Sequence, residues 1–73
     1  MAKKKALAEQ LKNEPMQDYI KFLVFAEMGS GRSLSKAFRQ YYESKDDPSK
    51  MWIGLSEQYR WGERAAKYDE TNA

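Results

Sequence analysis

The side chains of this chain that could do chemistry are carboxylates, amines, guanidinium groups and hydroxyls, because the sequence contains no histidine and no cysteine. The commonest general base and the commonest nucleophilic thiol are therefore missing, and so are the usual ligands of zinc. The carboxylates of Asp46 and Asp47 lie in a polar turn where helix capping explains them, and the EF-hand spacing is absent. We therefore expect no enzyme activity, no metal site and no cofactor.

Glycines next to a basic residue suggest a second kind of chemistry, the binding of phosphate, at Gly29-Ser30-Gly31-Arg32. A phosphate loop needs four residues between its glycines, then Lys-Ser/Thr, and it follows a strand. None of that context surrounds this segment. It is interpreted as a connector that ends the preceding helix, since glycine favours the left-handed conformation of helix ends.

Two short amphipathic helices lie between Ser33 and Arg64. The first is predicted over residues 33–42, with Ser33 as N-cap, because apolar residues recur at i, i+3, i+4 and i+7: Leu34, Ala37, Phe38 and Tyr41. The second is predicted over residues 49–59, capped by Asp47 or Ser49. Its inward face is formed by Trp52, Leu55 and Tyr59.

The remaining residues are predicted to support this pair. A broad apolar stripe predicts a central core helix over residues 16–28, started near Pro15. A short helix is expected within residues 6–12, one or two helical turns over residues 63–68, and disorder over residues 69–73. The fold class is therefore all-α, a small bundle of three to five helices, with a basic tip and first helix at 1–12, the main domain at 13–68 and a tail at 69–73.

Paired helices of about ten residues with a third behind them predict a helix-turn-helix domain, whose second helix enters the major groove of DNA. We expect base contacts from the outward positions of the second helix: Ser49, Lys50, Ile53, Gly54 and Glu57. We expect phosphate contacts from basic side chains and from the start of the first helix: Arg32, Ser33, Lys36, Arg39 and Arg60.

The charge distribution supports this hypothesis in part. Residues 32–67 carry eight basic and five acidic side chains, whereas residues 13–31 carry one basic and three acidic side chains. Residues 45–60, however, carry three of each sign. Because phosphate neutralisation supplies most non-specific affinity, a single copy should bind weakly and with strong salt dependence. The composition alone is equally compatible with a helical bundle whose charges are simply solvated.

The segments RSLSKAF (residues 32–38) and LSEQYRWGERAAKYDE (residues 55–70) resemble a phage-type helix-turn-helix domain. The similar pattern stands at the start of small terminase subunits and of related phage and prophage DNA-binding proteins. It ends in a Trp-x-x-Arg-Ala-x-x-aromatic-Asp signature, which here consists of Trp61, Arg64, Ala65, Tyr68 and Asp69. The turn at residues 43–48 is longer and more acidic than the usual tight turn that contains glycine.

This resemblance implies recognition of viral double-stranded DNA for packaging. It also implies a large terminase subunit as partner, homo-oligomerisation through sequence outside residues 20–70, and a place in the cytoplasm of a bacterial host, away from membranes. Two alternatives stay open. One is a protein-interaction module that uses exposed aromatics such as Tyr42, and the other is a transcriptional regulator of a mobile element. Trp61 is expected to be a core residue covered by the stem of Arg64.

Overall fold

The structure, a computed structural model, describes residues 9–71, in which there are four α-helices and no strand. The helices are α1 (Met16–Ala26), α2 (Leu34–Tyr42), α3 (Lys50–Gln58) and α4 (Trp61–Thr71), and a 3-10 turn at Gly29–Gly31 joins α1 to α2. This confirms the predicted small all-α bundle. The basic tip at residues 1–5 lies outside the described residues.

The predicted core helix is α1, and it ends two residues earlier than expected. Pro15 is its N-cap, and the Pro15 carbonyl accepts hydrogen bonds from the backbone N–H groups of Asp18 and Tyr19, both at 3.0 Å. Proline suits this position because its own missing N–H would have no partner in the helix. After Ala26 the chain turns, and Gly29 adopts a φ of +73°, a conformation that few other residues accept.

Serine caps begin both helices of the predicted pair, as the sequence indicated. The Oγ atom of Ser33 accepts a hydrogen bond from the backbone N–H of Lys36 at 3.0 Å. The Oγ atom of Ser49 accepts one from the backbone N–H of Trp52 at 3.2 Å. Each bond satisfies a backbone donor that has no partner within its own helix. Of the two proposed caps of α3, Ser49 is therefore the one used.

The C-terminal part of the chain differs from the prediction. A helix was expected only over residues 63–68, followed by a disordered tail, but α4 runs from Trp61 to Thr71. Asp69 in its last turn forms an ion pair with Arg32, which anchors a segment that looks only polar in sequence. At the other end, residues 9–12 form a bend and a turn rather than a helix, and the rest of the predicted first helix lies outside the described residues.

All four helices contribute to one aromatic core. α1 packs against α2 and α4, and α3 packs against the same two helices. Trp52 of α3 and Trp61 of α4 have no exposed surface and meet edge to face, with ring centroids 5.1 Å apart. Phe25 of α1 packs on Trp61, and Phe38 of α2 packs on Trp52. Such pairs add to the stabilisation that burial itself provides, and the predicted core role of Trp61 is confirmed.

A buried ion pair fastens the segment before α1 to α4. The guanidinium of Arg64 donates to both carboxylate oxygens of Glu14, at 2.9 and 3.0 Å, and both side chains are almost completely buried. It also donates to the backbone carbonyls of Tyr59 and Glu9. The guanidinium carbon lies 4.1 Å from the ring centroid of Phe22. This arginine therefore covers the ring of Phe22, and no local pattern in the chain indicated that Glu14 would be its partner.

Two tyrosine hydroxyls lie beside acidic residues, Asp18 in α1 and Glu27 at its C-cap. Burial raises the pKa of Tyr59, and the nearby carboxylate of Asp18 raises it further. Burial likewise raises the pKa of Tyr68, with Glu27 adding to the effect. A hydroxyl next to a carboxylate keeps its proton because the charged phenolate would be repelled. These contacts link α3 and α4 to opposite ends of α1.

Breaking the buried ion pair should be among the most damaging single changes in this domain. We expect Arg64→Met to cost about 3–5 kcal/mol, because it leaves the Glu14 carboxylate buried without a positive partner, with only the backbone N–H of Leu11, among the described residues, still donating to it. Urea unfolding followed by circular dichroism measures the loss. Adding Glu14→Gln should recover part of it. The matched control is Arg60→Met, which removes an exposed ion pair with Glu63 and should cost less than about 1 kcal/mol. Equal destabilisation at the two arginines would contradict this account.

The C-cap of α2 offers a stabilising change. Glu43 adopts φ 52° and ψ 50°, a left-handed conformation that is strained for residues other than glycine. Glu43→Gly should therefore raise the free energy of unfolding by roughly 0.5–1 kcal/mol. Glu43→Ala removes the same charge but keeps the strain, so it should give no comparable gain. If alanine stabilises as much as glycine, the effect comes from charge and the backbone explanation is wrong.

Candidate nucleic-acid interface

The helix predicted to contact DNA, α3, packs against the core with its inward face and exposes its outward face to solvent. Trp52 is fully buried, and Leu55 and Tyr59 pack against the core from the same side. The predicted inward face is therefore confirmed. Rotation of about 100° per residue then places the residues between these anchors on the far side of the helix. The packing of the core therefore determines which side chains of α3 are exposed to solvent.

The outward face of α3 carries the predicted base-contacting residues after Ser49. Lys50, Ile53, Gly54 and Glu57 are all exposed. Within the described part of the chain, the Lys50 ammonium forms no hydrogen bond or ion pair, so no internal contact has to be broken for it to meet a phosphate or a base. Ser49 is already used, because its oxygen caps α3. Its hydroxyl hydrogen is still available for donation.

The two basic residues of α2 contact different ends of that helix's surroundings: Arg39 the loop that leads into α3, and Lys36 the connector before α2. Arg39 donates from Nε to the carbonyl of Asp46 and from Nη2 to the carboxylate of Asp47, both at 3.2 Å. It therefore holds the loop as well as carrying a positive charge. Lys36 is exposed, and its ammonium donates to the carbonyl of Gly31 at 3.3 Å. The positive charge of Arg39 is paired with Asp47, whereas no carboxylate within residues 9–71 forms an ion pair with Lys36.

Arg60 connects α3 to α4 in a tight turn. It has a φ of +53°, and its guanidinium forms an exposed ion pair with Glu63. Exposed pairs of this kind contribute little to stability. A phosphate could therefore replace the Glu63 carboxylate at small cost, and the predicted phosphate contact is compatible with this geometry.

Arg32 has a structural role instead of the free guanidinium that a phosphate contact requires. It donates to both carboxylate oxygens of Asp69, at 3.1 and 2.6 Å, and to the backbone carbonyls of Phe25 and Ala26 at the end of α1. These four acceptors join α1, α4 and the connector before α2. Arg32 therefore positions helices, and its predicted phosphate contact stays a prediction. Ser33, which follows it, contributes the cap of α2.

Met51 is an exposed residue of α3 that sequence reasoning did not assign to the interface. Its side chain is 57% exposed, the largest exposure among the exposed large hydrophobic residues. The periodic pattern did not indicate that Met51 is exposed, because Met51 lies one helical turn before Leu55, which faces inward. Lys45, in the loop before α3, was also not assigned. It is exposed and has no ion-pair partner among the described residues.

The acidic residues near this face limit its positive charge. Glu43, Asp46 and Glu57 are exposed, and none of them is neutralised by an ion pair within residues 9–71. Their three negative charges equal in number the positive charges of the unpaired ammonium groups of Lys36, Lys45 and Lys50. The candidate interface is therefore a mixed surface, on which Lys45 and Lys50 lie on the two sides of the cap of α3. The N-terminus of that helix adds partial positive charge there.

The residues of the sequence signature all lie on α4, and most of them have structural explanations. Trp61 and Ala65 are core residues, and Tyr68 packs against the core. Arg64 and Asp69 form the two ion pairs that fasten α4 to the rest of the domain. The residues of the signature therefore contribute to the packing and the ion pairs that hold this bundle together.

Comparison with known proteins adds no further assignment. No protein-family model matches the chain, and neither a curated protein nor a solved structure matches it significantly. Within residues 9–71 there is no pocket and no group of acidic residues that could hold a metal ion. No helix in that range is long and apolar enough to cross a membrane. The helix-turn-helix assignment of α2 and α3 stays a prediction.

The structural role of Arg32 can be tested by titration. Hydrogen bonds from Arg32, together with its charge, hold the pKa of Asp69 below its ordinary value. A lowered pKa in the folded protein means that this contact stabilises the fold above the ordinary carboxyl pKa. The stabilisation is lost as the pH falls through the lowered value. We expect the NMR titration of the Asp69 side chain to move up to the ordinary range in Arg32→Gln. An unchanged midpoint would show that the ion pair does not form.

Proposed function

We propose that the protein binds double-stranded DNA and that α3 is the helix that enters the major groove. The observation that carries this proposal is the contrast between the two faces of α3. One face is anchored in the core by the buried side chain of Trp52. On the other face, Lys50, Ile53 and Gly54 are exposed to solvent. A short rigid helix with an open outward face suits a groove about 12 Å wide. Phosphate contacts are assigned to Lys36, Arg39 and Arg60.

The second step of the proposal concerns biological context. We assign the protein a role in recognising viral DNA for packaging, as part of a small terminase subunit in the cytoplasm of a bacterial host. A large terminase subunit and further copies of the chain would then be its protein partners. What supports this is the resemblance of residues 32–38 and 55–70 to that family. Avidity between several copies would offset the small net charge of one domain. Binding to symmetric half-sites about one helical turn apart would instead favour a transcriptional regulator.

One observation favours a protein-interaction module as a second candidate. Met16 and Ile20 lie one turn apart on α1, and their side chains are 56% and 44% exposed. Two exposed apolar residues on one helix face can serve as part of a protein-binding surface. The two candidates place the partner on different helices, because DNA is expected at α3 and a protein at α1.

Titration with a duplex oligonucleotide tests the proposed function. At low salt we expect the amide signals of Lys36, Arg39, Lys50 and Arg60 to move, and affinity to fall steeply as salt is raised. Lys50→Ala and Lys36→Ala should each weaken binding and lower the slope of log K against log salt by about one. Lys67→Ala is the matched control, because Lys67 lies on α4 and pairs there with Glu70.

Two results would contradict the DNA proposal. The first is the absence of any signal change at low salt. The second is an equal reduction of affinity in Lys67→Ala and Lys50→Ala, which would mean that binding follows total charge rather than the face of α3. Signal changes confined to α1 on adding a protein partner would favour the interaction module.

A further inference from the structure

The exposed surface of α3 has an apolar side chain on each flank, with a glycine between them. Met51 is 57% exposed and Ile53 is 40% exposed. A rotation of about 100° per residue places these two side chains on opposite sides of Gly54. Lys50 precedes them and Glu57 lies one turn further along the helix. The face is therefore apolar at its flanks, open in the middle and charged at its two ends.

Gly54 has no explanation within the described part of the chain. Glycine inside a helix is destabilising relative to alanine. It is justified where φ is positive or where a neighbour comes too close for a Cβ atom. Gly54 does not have a positive φ, and a Cβ atom built on it would meet nothing within 4 Å. The missing side chain leaves open space on the exposed side of α3, as Gly62 does on α4.

We infer that this face recognises thymine methyl groups, so that the DNA target is rich in A·T base pairs. This inference rests on the proposed DNA binding. The C5 methyl of thymine is the apolar group that a base pair offers in the major groove, and apolar side chains recognise it. Met51 and Ile53 contact methyl groups on either side, and Gly54 lets the base edges approach the helix backbone.

DNA fits this face better than an apolar protein surface does. The two apolar side chains are separated by Gly54 and Lys50, so the two of them do not form a continuous patch of the kind that marks a protein-binding site. The N-terminus of α3 and the ammonium of Lys50 place positive charge at one end of the face. That end suits a phosphate backbone, while the methyl contacts would lie further along the helix.

Replacing thymine with uracil isolates the methyl groups. Two duplexes of the same alternating A·T sequence, one made with thymidine and one with deoxyuridine, have the same phosphates and the same hydrogen-bonding groups. The full 73-residue chain should bind the uracil duplex about fourfold more weakly for each methyl group that Met51 or Ile53 buries in the thymine duplex. In Met51→Ala and in Ile53→Ala the difference between the two duplexes should shrink.

Met16→Ala is the matched control for Met51→Ala, because Met16 is exposed to almost the same extent, 56%, but lies on α1. It should keep the full preference for thymine. If the wild-type protein binds both duplexes equally, the methyl-recognition inference is wrong, although DNA binding stands. If it binds neither duplex at low salt, the proposed function itself is wrong.

Gly54→Ala provides a second test in which stability and binding move in opposite directions. The melting temperature should rise, because alanine favours the helix. Binding to the thymine duplex should weaken severalfold, because the new Cβ atom would occupy the space into which a base edge approaches. Gly62→Ala is the control, since Gly62 is also an exposed helical glycine with open space around it. It should not weaken binding. Unchanged binding in Gly54→Ala would overturn the close approach at this position.

Discussion

The edge-to-face contact of Trp52 and Trp61 is the interaction on which the rest of this small domain depends. The two indoles belong to α3 and α4. Phe38 of α2 packs on Trp52, and Phe25 of α1 packs on Trp61. A domain of this length has too little interior for a second cluster to carry the fold alone. The two rings therefore determine where α3 and α4 lie. Their indole N–H groups have no hydrogen-bond partner among the described residues, which indicates that packing outweighs polar satisfaction here.

The same contact gives α3 its functional orientation. Because Trp52 is held inside, Lys50, Ile53 and Gly54 must face solvent, and the buried ring fixes the orientation of the helix backbone that carries them. Recognition helices benefit from such a fixed orientation, since little conformational entropy is lost on binding. The charge on this face is modest, and acidic residues stand near it. Shape and apolar contacts therefore carry more of the proposed recognition than charge does.

Local patterns in the sequence were sufficient to predict α1, α2 and α3 and the serine caps of the last two. The apolar spacing of α2 and α3 and the caps at Ser33 and Ser49 depend on neighbours within about one turn. The ion pairs Arg32–Asp69 and Glu14–Arg64 join residues that are distant in sequence, so periodicity carries no information about them. For that reason α4 proved longer than predicted, and the structural contacts of Arg32 were not foreseen. Met51 was missed because it shares the register of the inward-facing Leu55 and yet is left exposed.

The pairing of Glu14 with Arg64 also has a kinetic consequence. The two residues are 50 positions apart, so closing this contact early in folding would require ordering most of the chain before other contacts reward it. The contact should therefore form after the folding transition state has been passed. Interactions absent from the transition state slow unfolding without changing the rate of folding. On this view, the ion pair prolongs the lifetime of the folded domain, while contacts between residues close in sequence, such as Trp52 and Trp61, contribute to how fast it forms.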